Sequence, residues 1–157
     1  MINNLPTSSD FQSDSKKSGD HFEYLVYSDL ISRGFTKIKK NHYVEGTGCE
    51  VDFFADDKEY VEAKGGFEGN GKRPGAKRTD SVKKAIANGA LIKAIKSDSY
   101  YVVYFSSMPH ANSYSDQMLK LALQNKIIDE IRYIDNPNRD LFYTLFDYIE
   151  IPDGKQD

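Results

Sequence analysis

The stretch VDFFADDKEYVEAKGG, Val51 to Gly66, decides how the chain is read. Glu50 to Ala55 and Glu59 to Lys64 are runs rich in β-branched and aromatic residues, and Asp56-Asp57-Lys58 between them has turn composition, so the segment predicts a β-hairpin. Side chains alternate along a strand, which puts Glu62 and Lys64 on one face and Val61 and Ala63 on the other. With a three-residue connection Asp52 falls opposite Glu62, and Val51 and Phe53 join Val61 and Ala63 on an apolar face. A two-residue connection sets Asp52 and Glu62 on opposite faces, barring a bulge. The apolar pattern selects the register that gathers the charged residues.

Outward from this hairpin the chain reads as α-β-β-β-α-β followed by α-β, an α/β domain with helices packed on a mixed sheet. Residues 1–18 are mostly polar and predict a flexible arm. A helix is expected from about Asp20, where Asp20 and Glu23 have capping-box spacing, with Phe22, Leu25, Val26 and Leu30 as its apolar stripe and Gly34 as its stop. Phe35 to Val44 predicts the first strand, and Gly46-Thr47-Gly48 a turn. Gly65 to Ala76, with five glycines, is a loop. Thr79 or Asp80 opens a helix to about Lys96 with Val82, Ala85, Ile86, Ala90 and Ile95 as core candidates. Tyr100 to Ser106 is a buried strand. A helix from Ser113 to about Lys126 turns Met118, Leu121 and Ala122 inward. A strand near Ile131–Ile134 and an aromatic segment, Leu141 to Ile151, complete a single domain over 19–151, with a tail at 152–157.

Composition narrows the function classes. A chain of 157 residues suits one domain. Cys49 is its only cysteine, which excludes an internal disulfide and a multi-cysteine zinc site and fits a reducing, cytoplasmic setting. The opening residues MINNLPTSSD do not form a signal-peptide pattern, and no apolar run reaches a membrane-spanning length. The net charge is −3, yet Lys64 to Lys84 holds seven basic residues (Lys64, Lys72, Arg73, Lys77, Arg78, Lys83, Lys84) against Glu68 and Asp80. A basic island on an acidic body is what phosphate binding needs, although a solvated basic loop has the same composition.

Two carboxylates and an ammonium side by side on a sheet call for a reason. The carboxylates repel, a divalent cation relieves the repulsion, and oxygen ligands suit Mg²⁺. Such an ion polarises a phosphoryl oxygen and acidifies a bound water, while Lys64 orients that water and offsets charge on phosphorus oxygens. The bland alternative is a surface hairpin in which Lys64 pairs with Glu62 or Asp52.

The same residues, Asp52 and then Glu62-Ala63-Lys64 on the next strand, resemble the PD-(D/E)xK nuclease superfamily of restriction endonucleases, resolvases and repair nucleases. HFEYLVYSDLISRGF, from His21, resembles that family's first core helix, with Glu23 as its acidic residue, and the similarity spans roughly residues 20–106. It implies a restriction-endonuclease-like core with a C-terminal α/β extension and Mg²⁺-dependent cleavage of DNA, Mn²⁺ being able to substitute. Asp52, Glu62 and Glu23, with the Ala63 carbonyl, would hold metal, and Lys64 would assist the attacking water. Two departures are plain: Val51 precedes Asp52 where some members have proline, and the second helix lacks a Gln-x-x-x-Tyr pattern.

Lys72, Arg73, Lys77, Arg78, Lys83 and Lys84 are the expected DNA-binding residues. Glu23 is alternatively only the third residue of a capping box. Glu50, two residues before Asp52, is a weaker candidate ligand. His21, His42 and His110 have no metal-ligand spacing and are expected at the surface; Tyr100, Tyr101 and Tyr104 are expected in the core or at an interface. The leading expectation is a homodimeric DNA endonuclease of restriction type, since two-fold symmetry matches a duplex. The alternatives are a structure-specific resolvase or nicking nuclease, and a DNA-binding module that does not cut.

Overall fold

The computed structural model of the protein describes the backbone of residues 8–66 and 73–136 and the side chains from Gly19 onward. Lys72, the aromatic segment Leu141 to Ile151 and the 152–157 tail lie outside the described residues. The elements are α1 (Ser8–Ser32), β1 (Ile38–Val44), β2 (Cys49–Ala55), β3 (Glu59–Lys64), a 3-10 turn (Gly75–Lys77), α2 (Thr79–Ile95), β4 (Tyr100–Phe105), α3 (Tyr114–Gln124) and β5 (Glu130–Tyr133). The strands form one mixed sheet in the order β1-β2-β3-β4-β5. β1, β2 and β3 are antiparallel neighbours, and β4 and β5 are added parallel to β3. The chain is thus α/β, a five-stranded mixed sheet flanked by helices. Among the described residues no helix is long and apolar enough to cross a membrane.

Each face of the sheet carries its own core. Phe22, Val26 and Leu30 of α1 pack on Phe53, Val61, Val102 and Tyr104. Val82, Ala85 and Ile92 of α2 and Leu119 and Ala122 of α3 pack on the other face, with Val51, Tyr60, Tyr101, Val103 and Phe105. α1 stops as its sequence predicts. Gly34 takes φ 95°, its N–H reaches the Ile31 carbonyl, and the Phe35 N–H reaches Leu30.

Several expectations are corrected. α1 begins at Ser8, not at Asp20, so part of the expected flexible arm is helical backbone. Ser, Asp and Lys cost only a few tenths of a kcal/mol each in a helix (about 0.3–0.7 kcal/mol), and turns added to an anchored helix need no new nucleus. In α2 the inward row is Val82, Ala85, Gly89 and Ile92, while Ala90 and Ile95 face solvent and Ile86 is half-buried. Gly89 explains the rotation. A Cβ there would lie 2.5 Å from the Ile127 carbonyl oxygen and 2.8 Å from the Tyr101 ring, so the helix uses glycine to press closely onto the sheet. In α3 Leu119 takes the core position expected for Leu121, which is exposed, and Met118 is half-buried.

The largest correction concerns β2. Val51 and Phe53 were expected on one face, but Val51 belongs to the α2–α3 core and Phe53 to the α1 core. The partner strand flips with it. Lys40 opposes Phe53 and His42 opposes Val51, and Asn41 between them has φ 55°. Asn tolerates that left-handed conformation better than most residues. One residue on each strand, Asn41 and Asp52, absorbs the change of face.

Candidate functional site

The hairpin turn has the odd parity that the charged residues require. Ala55 opposes Glu59, leaving Asp56, Asp57 and Lys58 as a three-residue connection. Asp56 and Asp57 both adopt left-handed backbone, at φ 50° and 53°. The Asp56 carboxylate accepts the N–H groups of Thr36 and Lys37, at 3.1 and 2.6 Å, and so ties the turn to the start of β1.

Past Phe53↔Val61 the β2–β3 ladder opens. Continued in the same register, the Ala63 N–H would meet the Val51 carbonyl. It donates instead to Asp52 Oδ2 at 2.7 Å. A side-chain carboxylate has replaced a backbone acceptor, at the residue where β2 changes face. The N–H and C=O of one strand residue point to the same edge, so the Ala63 carbonyl emerges beside Asp52.

Glu62 lies on the α2 side of β3 and is only 3% exposed. Its Oε2 accepts a 2.6 Å hydrogen bond from Asn88 Nδ2 of α2. Burial first, and then the neighbouring Asp52 carboxylate, push its pKa well above the usual value, against the opposing pull of Lys64 and Asn88. Glu23 reaches Asp52 from α1. Burial, followed by Asp52, raises it from 4.5 to about 7, while Lys40 lowers it. Lys40 Nζ stands 3.5 Å from Glu23 Oε2. Asp52 therefore links two acids, Glu23 on the α1 side of the sheet and Glu62 on the α2 side, and the Lys64 charge acts on Glu62. The expected residues Asp52, Glu62, Lys64 and Glu23 are brought together. Because α1 begins at Ser8, well before Asp20, Glu23 is mid-helix and the capping-box reading falls.

The basic residues divide. Arg73 and Arg78 are exposed, Arg78 at the N-cap of α2, and Lys77 is half-buried in the 3-10 turn. That turn is held on the end of β4: Gly75 has φ 58°, and a Cβ there would come within 2.6 Å of the Ser107 nitrogen. Lys84 is exposed one turn before Asn88, whereas Lys83 lines an apolar groove with Ile86, Met118 and Leu121 and leaves the track. Glu50 is exposed, opposite Tyr43, and the flip at Asp52 removes the shared-face argument for it. His21 is buried, contrary to expectation, while His42 stacks on Phe54 with centroids 4.4 Å apart and His110 is exposed. Tyr101 and Tyr104 are core residues, but Tyr100 is exposed. Asn88 and Lys40 were not anticipated. Asn88 is a half-buried polar residue on α2 and Lys40 one of several polar residues in a row on β1, and neither stands out in the sequence.

No protein-family model matches the chain, and no curated protein is similar enough to count as a relative.

The raised acids set the pH behaviour of the metal-free protein. In the window from 4.5 to about 7 the folded state holds a proton on Glu23 that the unfolded chain releases. That contribution is fully present below the unfolded pKa and is lost as pH rises through about 7. Urea unfolding at several pH values is expected to show stability falling between pH 5 and about 7. Glu23→Gln is expected to flatten that slope in part, the remainder belonging to Glu62. An unchanged slope in Glu23→Gln would remove the Glu23–Asp52 contact from the account.

Proposed function

We propose that the chain is a Mg²⁺-dependent endodeoxyribonuclease with a PD-(D/E)xK, restriction-endonuclease-like core, acting in the cytoplasm as a homodimer of restriction type. One observation carries the reading: Asp52, Glu62 and Lys64 meet where the β2–β3 ladder opens, with Asp52 filling the place of a backbone acceptor.

The residues fit a divalent ion. Among the described residues no three His, Cys, Asp or Glu side chains form a ready-made cage. Mg²⁺ ordinarily takes one or two carboxylates, with water and substrate phosphate completing its shell. Asp52 accepts from the Ala63 N–H and Glu62 from Asn88, and beyond those donors the carboxyls, among the described residues, meet only one another. Their mutual repulsion is what a cation neutralises. Asp52, Glu62 and the Ala63 carbonyl are the proposed ligands of Mg²⁺ or Mn²⁺, with Glu23 behind Asp52. The ion's chemistry is Lewis acidity toward a phosphoryl oxygen together with a lowered pKa for water. Lys64 sits beside Glu62 to orient the attacking water and offset charge on the phosphoryl oxygens. Arg73, Lys77, Arg78 and Lys84 supply cations to the DNA backbone.

Plasmid DNA incubated with the protein and Mg²⁺, with EDTA added, and with Lys64→Ala tests the reading. Discrete fragments with the unaltered protein and Mg²⁺ alone are the expected result. Nicking, or cleavage confined to branched DNA, would shift the reading to a structure-specific nuclease. Binding without cleavage under any of these conditions would overturn the enzyme.

A further inference from the structure

Asn88 is an expensive residue where it stands. In a helix interior Asn is less favourable than Ala. It is half-buried, next to the inward-facing Gly89. Its amide is aimed at a single target, Glu62 Oε2, at 2.6 Å. The helix backbone there has little freedom to move. Gly89 presses on the Tyr101 ring and the Ile127 carbonyl, and the Tyr101 hydroxyl donates to the Ala85 carbonyl at 2.8 Å. Two contacts from β4 and one from the segment after α3 thus fix the turn of α2 that presents Asn88.

We propose that Asn88 is a positioning residue that confines Glu62 to offering one oxygen, and so tilts the centre toward Mg²⁺ and away from Ca²⁺. The inference rests on the metal centre proposed above. Ca²⁺ takes six to eight oxygens in flexible geometry and readily uses both oxygens of one carboxylate, whereas Mg²⁺ demands a small octahedral shell and keeps several waters. With Asn88 on one oxygen and the side chain almost fully buried, offering both oxygens to one ion costs Glu62 that hydrogen bond or forces the ion to share its acceptor. Groups that orient a ligand in this way typically change metal affinity about 10–100-fold when removed.

The test measures ion binding without DNA. Mn²⁺ bound to the full chain is followed by electron paramagnetic resonance and displaced with Mg²⁺ or Ca²⁺. Asn88→Leu keeps the shape and deletes the donor; Asn88→Ala serves as a second variant if Leu perturbs the melting transition. Loss of the donor is expected to weaken Mg²⁺ about ten-fold and Ca²⁺ much less, moving the preference toward Ca²⁺ several-fold. Equal weakening of both ions, no change, or a shift toward Mg²⁺ would overturn the proposal. Asp52→Asn separates the two levels. If the unaltered protein does not bind Mn²⁺, or binds it no better than Asp52→Asn, the metal centre fails and the role of Asn88 with it. If Asp52→Asn weakens Mn²⁺ while the Asn88 variants leave the Ca²⁺/Mg²⁺ preference unmoved, only the role of Asn88 fails.

Discussion

Asp52→Asn is expected to lower cleavage by about 10³-fold or more while raising the melting temperature of the metal-free protein at pH 8. The two effects have one cause. Asn keeps an oxygen that accepts the Ala63 N–H, so the opened end of the β2–β3 ladder retains its closure. What disappears is the charge. Asp52 is the second-largest cause of the raised pKa of both Glu23 and Glu62, after burial itself. Above neutral pH the folded protein must hold all three acids close together, and the unfolded chain need not. Removing the central charge is expected to stabilise the fold by about 1 kcal/mol, in the range of other stabilising changes at functional sites. The cleavage loss, on the order of 4 kcal/mol of transition-state stabilisation, is what losing a proposed metal ligand predicts. Plasmid cleavage and thermal unfolding of the same preparation check both signs. A variant that cuts normally removes Asp52 from the centre. One that neither cuts nor melts higher makes Asp52 a structural residue.

That pairing of signs explains what could be read in the sequence and what could not. The parity of the Asp56–Lys58 turn was legible, because alternation of Val61 and Ala63 against Glu62 and Lys64 leaves few registers. The face change at Asp52 was not. Val51 and Phe53 are both apolar, and period-two alternation assigns them to one side. Only two cores, one on each side of the sheet, allow both to be buried while they point apart. The positive φ of Asn41 has an equally faint signal, one Asn inside a β-rich run. Glu23 is visible as an acid on the first helix, but its two roles separate only because α1 starts at Ser8 rather than at Asp20. Helix faces were misread where small residues do the packing. Ala85 and Gly89 turn α2 so that Ala90 and Ile95 leave the core, and hydropathy alone ranks Ile95 above Gly89. The contact between Asn88 and Glu62 spans two elements, and no local pattern announces it.

A second buried polar cluster, at the opposite end of β3, is expected to respond in the opposite way. Arg132 of β5 is nearly buried and donates to both oxygens of Glu59, at 3.2 and 3.0 Å, and to the Tyr104 hydroxyl at 2.8 Å. Glu130 accepts from it at 2.5 and 3.1 Å. Burial works against the Arg132 charge, but these hydrogen bonds outweigh it and the guanidinium stays protonated. The Tyr104 hydroxyl passes the network on to Asp29 of α1 at 2.6 Å, so one arginine ties β3, β4, β5 and α1 together. Arg132→Met is expected to destabilise the protein by about 3–5 kcal/mol, because it strands the Glu59 carboxylate inside. The double change Glu59→Leu with Arg132→Met removes the buried pair, leaves Glu130 where its side chain is 35% exposed, and is expected to recover most of that loss, since a buried ion pair contributes little against well-packed apolar side chains. Denaturant unfolding of the single and double variants measures the difference directly. Cleavage per folded molecule should be unaltered in the double variant, because Glu59 and Glu62 are separated by about 10 Å of strand. Recovery of stability without loss of cleavage would make the Arg132 network structural. Failure of the double variant to recover would show that the charges themselves, rather than the stranded carboxylate, hold the sheet to α1. At the Asp52 end like charges face one another and removing one stabilises; at the Arg132 end opposite charges meet in the interior, and removing the guanidinium alone does the damage.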